Sequence, residues 1–94
     1  MINKQCIGIV GGVGPYAGLD LERKIFEHTR AVTDQDHLSV IHISKPCDIE
    51  DRTAFLLGQI ERNPADSIFA IIQEMAGLGV VVVGIPCNTA HAPL

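Results

Sequence analysis

The chain has 94 residues, of which 47% are hydrophobic and 4% aromatic, and its formal net charge is −4. This length suits one small domain, and the aliphatic composition supports a modest buried core and excludes an intrinsically disordered chain. The acidic balance, with no cluster of basic residues, argues against nucleic acid and anionic membrane surfaces as partners.

The cysteines and the N-terminal residues bear on the cellular compartment. The three cysteines, Cys6, Cys47 and Cys87, are odd in number and form no C-x-x-C pair, which argues against a disulfide framework. The N-terminus lacks the apolar region and cleavage site of a signal peptide, and no apolar run reaches the ~18 residues that a membrane span needs. These features predict a cytoplasmic protein.

The first half of the chain predicts a strand, a helix and a second strand. Residues 6–10 are apolar and end in glycines, as in a buried strand followed by a tight turn. A helical pattern extends from Pro15 to about Val32, and Pro15 suits the first helical turn because its missing N–H needs no partner there. After a polar connection, residues 38–43 form the second predicted strand.

The second half predicts two helices and a third strand. Residues 53–60 are expected to form a short helix. Asn63 followed by Pro64 is typical of the N-cap and first position of a longer helix, which Gly77 and Gly79 would end. Residues 80–85 are the third predicted strand, and their continuous apolar run indicates burial on both faces.

The alternation of strand, helix, strand, helix and strand predicts an α/β fold: a three-layer, mostly parallel sheet with helices on both faces and right-handed crossovers. In such sheets, ligands bind at the carboxyl ends of the strands. Three loops are expected at this edge, residues 11–14, 44–52 and 86–91. The polar and reactive residues of the chain are therefore predicted to meet at one edge of the sheet.

The glycine-rich loop allows three interpretations. Gly12, Gly14 and Ala17 match the dinucleotide-binding pattern G-x-G-x-x-A directly after a strand. That pattern also needs an acidic residue at the end of the second strand, where this chain has Ser44 and Lys45. A glycine loop that opens onto a helix N-terminus also binds smaller anions such as carboxylates. The third interpretation is a tight turn without a ligand.

The other two loops carry an arginine and a cysteine. Arg52 can hold a carboxylate through two hydrogen bonds, or it can pair with its acidic neighbours on the surface. Cys87 follows the third strand, where the positive end of a helix would stabilise a thiolate that acts as a nucleophile or a proton-transfer base. Asn88 and Thr89 offer donors to an oxyanion, and His91 lies one helical turn beyond Cys87. The alternative for Cys87 is a small buried hydrophobe. A zinc site is disfavoured because no further ligands follow a recognisable spacing.

Four segments of the chain, in this order, resemble the aspartate/glutamate racemase family, nearest its aspartate racemase branch: I-G-I-V-G-G-V-G-P, D-Q-D-H, D-R-T and I-P-C-N-T-A-H. Members of that family consist of two similar α/β halves with the active site between them. The resemblance implies that residues 1–94 are the N-terminal α/β half-domain of such a racemase and that the second half is absent from this chain.

The resemblance also implies a reaction and a set of site residues. The family racemises aspartate or glutamate with two cysteines, one of which removes the α-proton while the other reprotonates the opposite face, and it uses no cofactor and no metal. Cys87 matches the first catalytic cysteine; the second belongs to the missing half, so we expect the isolated fragment to be inactive. Arg52 matches the arginine that grips the side-chain carboxylate. The full set of matched substrate-binding residues is Gly12, Val13, Gly14, Arg52, Asn88 and Thr89.

Other functions remain open beside a racemase of a small dicarboxylic amino acid. The chain could be a nucleotide-binding α/β module, or a related cysteine-based isomerase or decarboxylase with hydantoin, maleate or malonate substrates. A further alternative is a domain that binds or assembles without catalysis. Because an isolated half would expose the apolar flank where the second half docks, we expect a homo-oligomer.

Overall fold

The computed structural model of the chain describes residues 5–86. Its strands are β1 (Cys6–Gly11), β2 (Ser39–Ser44) and β3 (Val80–Gly84), which form a parallel sheet in the order β2-β1-β3. The helices are α1 (Pro15–Glu27), α2 (Arg52–Leu56) and α3 (Pro64–Gly77), with 3-10 turns at Asp34–Asp36 and Pro46–Asp48. The predicted α/β class with a parallel sheet is confirmed.

Helices α1 and α3 cover opposite faces of the sheet. A Cβ atom built on Gly8 would lie 2.7 Å from Sδ of Met75 in α3, whereas one built on Gly11 would overlap the ring of His42. The same ring lies against Gly18 of α1. Because residues three apart on a strand point to opposite faces, α3 packs on one face and α1 on the other. The three-layer arrangement predicted from the sequence is therefore confirmed.

The apolar core lies between the sheet and α3. Its buried members are Val10, Val13, Ile49, Ile68, Ile71 and Met75. Each such side chain contributes about 1.5–3 kcal/mol through its removal from water. Three of them belong to α3, and Val13 and Ile49 belong to the loops that follow β1 and β2. The core therefore extends to the edge of the sheet at which those loops begin.

Helix α1 is shorter than its apolar pattern predicts, since it ends at Glu27 instead of near Val32. Nδ1 of His28 and the hydroxyl of Thr29 lie within hydrogen-bond distance of carbonyl oxygens in the last turn, which need partners where a helix stops. Val32 is 97% exposed, so a longer helix would bury little more apolar surface. Local side-chain hydrogen bonds thus end the helix at Glu27, although the apolar pattern continues to about Val32.

Helix α2 also ends earlier than predicted, whereas α3 begins and ends where the sequence indicates. Gly58 has a φ of 75° and takes the chain out of the helical conformation two residues after α2 ends at Leu56. At the start of α3, the Asn63 side chain accepts a hydrogen bond of 2.9 Å from the Ala65 N–H. Gly79 follows the helix with a φ of 89°.

The third strand is less buried than its run of valines predicts. Val81 and Val82 are 59% and 58% exposed, because β3 lies at an edge of the described sheet and pairs only with β1. The expectation of burial on both faces was wrong for residues 5–86. A β-bulge or irregularity in the pairing with β1 adds to this, since Cys6 faces Val80 and Ile7 faces Val82.

Candidate functional site

The three strands end at one edge of the sheet. Gly11 of β1 is opposite Ser44 of β2, and Gly84 of β3 is opposite Ile9 of β1. Because the strands are parallel, the loops that follow them begin at this carboxyl edge, where ligands of such sheets bind. The loops after β1 and β2 therefore begin next to each other, at Gly11 and Ser44.

The first loop turns so tightly that two glycines are required. Gly12 and Gly14 both have a φ of 79°, a backbone conformation that side chains other than glycine rarely adopt. A Cβ on Gly12 would lie 2.9 Å from the backbone nitrogen of Lys45 and 2.8 Å from that of Pro46. The first and second loops thus touch through their backbones at Gly12, which brings two of the three predicted loops together.

The N-terminus of α1 lies at the same edge without a capping side chain. Gly14 is the N-cap residue, and the first turn contains no acidic residue. The Ala17 N–H bonds to the Gly14 oxygen at 3.0 Å. A helix of 13 residues carries about half a positive charge at this end, which favours an anion nearby. The local geometry is compatible with the small-anion interpretation of the glycine loop.

Val13 joins the two loops through the core. Its side chain is 2% exposed and belongs to the same buried cluster as Ile49 of the second loop. Of the groups of Val13, only the backbone is therefore available to a ligand. The buried side chain fixes the glycines on either side of it against the second loop.

Arg52 begins α2 and is only partly buried. Its Nη1 donates to the Glu50 carbonyl oxygen at 3.3 Å, and its Nε is buried with no hydrogen-bond partner among residues 5–86. The neighbouring Asp51 carboxylate accepts from the Ala54 N–H at 3.1 Å and so caps α2. A surface ion pair with its acidic neighbours, the alternative considered from the sequence, does not occur in the part of the chain that the structure describes.

The carboxylate of Glu50 has two partners of its own, Ser67 and Arg62. Ser67 donates to Oε1 at 2.8 Å, and Nε of Arg62 forms an ion pair with Oε2 at 3.0 Å. Burial by itself would raise the pKa of Glu50, but a bond from its own backbone N–H, the Ser67 hydroxyl and the charge of Arg62 together lower that pKa. Sequence reasoning did not identify these residues, because Ser67 lies 17 positions from Glu50 and no local pattern links them.

An open cleft of about 330 Å³ lies beside this cluster, with Lys45, Asp48, Arg62, Ser67 and Glu74 among its lining residues. Nζ of Lys45 lies 3.3 Å from a carboxylate oxygen of Glu74 in α3. Lys45, which stands where the dinucleotide interpretation needs an acidic residue, therefore contacts a carboxylate of another element.

Four residues of the predicted third loop lie outside the residues that the structure describes: Cys87, Asn88, Thr89 and His91. The described chain ends at Pro86, two positions after β3 ends at Gly84. The roles expected for these four residues therefore stay predictions. The other two cysteines, Cys6 and Cys47, are free thiols, and Cys47 is exposed.

Two histidines of the described chain make structural contacts. His42 is 13% exposed, and its Nδ1 lies 2.8 Å from a Glu22 carboxylate oxygen. His37 packs edge-on against Phe26, with ring centroids 5.4 Å apart.

Within residues 5–86 there is no group of three or more histidine, cysteine or acidic side chains placed to hold a metal ion. In the same residues, no helix has both the length and the apolar character that a membrane crossing requires.

Comparison with known proteins gives a similar solved structure to set beside this geometry. No protein-family model matches the chain. The chain is similar to Picrophilus torridus aspartate racemase, with a TM-score of 0.82 and 33% sequence identity. The match covers 93% of this chain and 37% of that protein, so the chain spans little more than a third of its length. The fold that holds the two loops together is therefore an aspartate racemase-like fold, as the family resemblance in the sequence predicts.

Proposed function

We propose that this chain supplies one part of the active site of a cofactor-independent racemase that acts on aspartate or glutamate. In this proposal Cys87 is one of two proton-transferring cysteines, and the second cysteine lies elsewhere in the full-length protein. The similarity to Picrophilus torridus aspartate racemase supports the reaction class, and it extends over 93% of this chain. Support for the substrate class and the residue roles comes from Arg52 and from the glycine loop.

The observation that carries the proposal is the state of Arg52. Three acidic residues, Asp48, Glu50 and Asp51, surround it in sequence, yet none of their carboxylates pairs with it in the described chain. Its Nε is buried and has no partner among residues 5–86. A buried donor without a partner is costly, and the side-chain carboxylate of a bound dicarboxylic amino acid would satisfy a guanidinium through two parallel bonds.

The glycine loop supports the same orientation of the substrate. The uncapped N-terminus of α1 lies beside Gly14 in the loop after β1, and Arg52 lies at the end of the loop after the neighbouring strand β2. We assign the α-carboxylate to the backbone groups of residues 12–14, and the side-chain carboxylate to Arg52. Two separate anion positions on neighbouring loops suit a substrate with two carboxylates better than one with a single carboxylate.

The proton transfers balance without a further reactant. The Cys87 thiolate takes the α-proton, so an S–H bond forms as the C–H bond breaks, and the electron pair stays on the substrate and spreads into its α-carboxylate. Donors fixed at that carboxylate stabilise the developing charge. A thiol on the opposite face then gives its proton to the α-carbon and becomes a thiolate. Asn88 and Thr89, which follow Cys87 in the sequence, are assigned to the α-amino and carboxylate groups.

The test uses the full-length protein that contains this chain, incubated in D₂O with L-aspartate or L-glutamate and no added cofactor. The proposal predicts loss of the α-proton NMR signal and appearance of the D-enantiomer for at least one of the two acids. Cys87→Ala should lower that rate by about 10²- to 10⁴-fold. Cys47→Ala is the matched control and should leave the rate unchanged, because Cys47 is exposed and has no assigned role.

Folded protein that exchanges the α-proton of neither acid would refute the substrate assignment. Activity toward a hydantoin, maleate or a malonate in its place would favour the related cysteine enzymes. Titration with NAD(H) and NADP(H) tests the remaining alternative. Micromolar binding of a dinucleotide, with no binding of dicarboxylic amino acids, would favour a nucleotide-binding module.

A further inference from the structure

Helix α2, which begins with Arg52, has little packing of its own. It is 5 residues long and contains no buried residue. The two leucines at its end, Leu56 and Leu57, are 52% and 67% exposed. A helix this short is not stable by itself, so the position of Arg52 depends on contacts made by the residues before it.

Glu50 provides those contacts in two directions. Its carbonyl oxygen accepts from Nη1 of Arg52 at 3.3 Å, while its carboxylate accepts from Ser67 at 2.8 Å and forms an ion pair with Arg62 at 3.0 Å. One residue thereby connects the guanidinium of the candidate site to helix α3. The hydrogen bond from Ser67 is the firmer of the two carboxylate contacts, because Ser67 is 8% exposed whereas the Arg62 side chain is 66% exposed.

Helix α3 is the rigid side of this connection. It buries five residues, among them Ile68 and Met75 at 0% exposure, and its first turn is capped by Asn63. Ser67 lies on the same buried part of the helix. A bond to Ser67 therefore ties the second loop to a helix that is packed into the core.

The same contacts also keep the charge of Arg52 available. A carboxylate two residues from a guanidinium could otherwise pair with it and compete with a ligand. Ser67 and Arg62 hold both oxygens of Glu50, so that only its carbonyl oxygen reaches Arg52. The lowered pKa of Glu50 agrees with a carboxylate that stays ionised in this position.

We infer that Glu50 is a positioning residue for Arg52: its carboxylate, anchored to Ser67 and Arg62, fixes the loop from which Arg52 meets the side-chain carboxylate of the substrate. This inference rests on the proposed function for its substrate, and on the geometry alone for the placement of Arg52. Glu50 itself touches no substrate atom.

The kinetic test compares Glu50→Ala, Glu50→Gln and Ser67→Ala in the full-length racemase. Loss of the anchor should raise KM for the dicarboxylic amino acid about five- to tenfold in Glu50→Ala and Ser67→Ala, with kcat within about twofold, because one net hydrogen bond is lost from binding. Glu50→Gln keeps an acceptor oxygen for Ser67, so its KM should stay close to the wild-type value. Asp66→Asn, an exposed change in the same turn of α3, is the control and should alter neither constant. An unchanged KM in Glu50→Ala would overturn the inference.

A second measurement separates this inference from the proposed function. The proton NMR signal of the Arg52 Nε–H reports the surroundings of that buried group whether or not the protein racemises anything. The signal should shift in Glu50→Ala and Ser67→Ala, return toward its wild-type position in Glu50→Gln, and stay in place in Asp66→Asn. An Arg52 signal that is the same in all four variants and the wild type would overturn the positioning role, even in an active racemase.

Discussion

At the scale of single residues, the two glycines of the first loop share a backbone angle and differ in their surroundings. Both have a φ of 79°. A side chain on Gly12 would collide with the backbone nitrogens of Lys45 and Pro46, whereas nothing lies within 4 Å of the corresponding position on Gly14. A side chain added at Gly14 therefore tests the backbone conformation alone, whereas one added at Gly12 also tests the close contact between the two loops.

We predict that Gly14→Ala lowers the free energy of unfolding by about 1–3 kcal/mol, the cost of a left-handed conformation for alanine. Gly12→Ala should lower it by about 1–3 kcal/mol more, since backbone atoms cannot move aside as a flexible side chain can. Urea denaturation followed by circular dichroism measures both changes. Equal losses for the two variants would show that the contact with Lys45 and Pro46 is not tight.

Glu50 gives a pH dependence whose sign follows from its environment. Its pKa is lowered in the folded chain, so the unfolded chain takes up the proton first as the pH falls. The stabilising effect of the carboxylate is therefore fully present above its ordinary pKa and is lost as the pH falls through its lowered pKa in the folded chain. The groups that face it are the hydroxyl of Ser67 and the guanidinium of Arg62.

We predict that Glu50→Gln is less stable than the wild type at pH 7 and that this difference shrinks at pH 3. The reason is that glutamine resembles the protonated acid in charge and keeps one acceptor oxygen. Denaturant titrations of both proteins at the two pH values measure the difference. If the difference in the free energy of unfolding is the same at both pH values, the charge of the carboxylate does not stabilise the fold.

At the scale of elements, the sequence predicts the order and type of the strands and long helices, but not all of their ends or surroundings. Asn63 and Pro64 fix the start of α3 through local chemistry, which is readable from neighbouring residues. The end of α1 depends on the bonds of His28 and Thr29 to its last carbonyls, which compete with a continuing apolar pattern. The exposure of Val82 depends on which strands flank β3, and no local pattern carries that information.

The exposed valines of β3 offer a surface for the self-association that we expect from the sequence. An apolar strand at the edge of a sheet favours pairing with another chain, and a lysine placed there opposes it. We predict that Val82→Lys weakens association of the 94-residue chain, as measured by analytical ultracentrifugation. Val32→Lys is the matched control, because Val32 is 97% exposed and lies outside the sheet. Equal association in both variants would place the contact elsewhere.

At the scale of the whole molecule, sequence and structure contribute different parts of the candidate site. The carboxyl edge, the glycine loop and Arg52 follow from the sequence, because each depends on residues that are close together along the chain. The anchor of Arg52 does not, since Glu50 and Ser67 meet only through the packing of α3 against the second loop. The match covers 37% of Picrophilus torridus aspartate racemase, and in our proposal the second cysteine lies elsewhere in the full-length protein.

The central claim is that Cys87 is a reactive thiolate beside a site for a dicarboxylic amino acid, and thiol alkylation tests both parts together. In the full-length protein at neutral pH, iodoacetamide should modify Cys87 faster than Cys6 and faster than the exposed Cys47, and L-aspartate or L-glutamate should slow the reaction at Cys87 alone. Modification of Cys87 at the rate of the other cysteines, with no protection by either amino acid, would contradict the account.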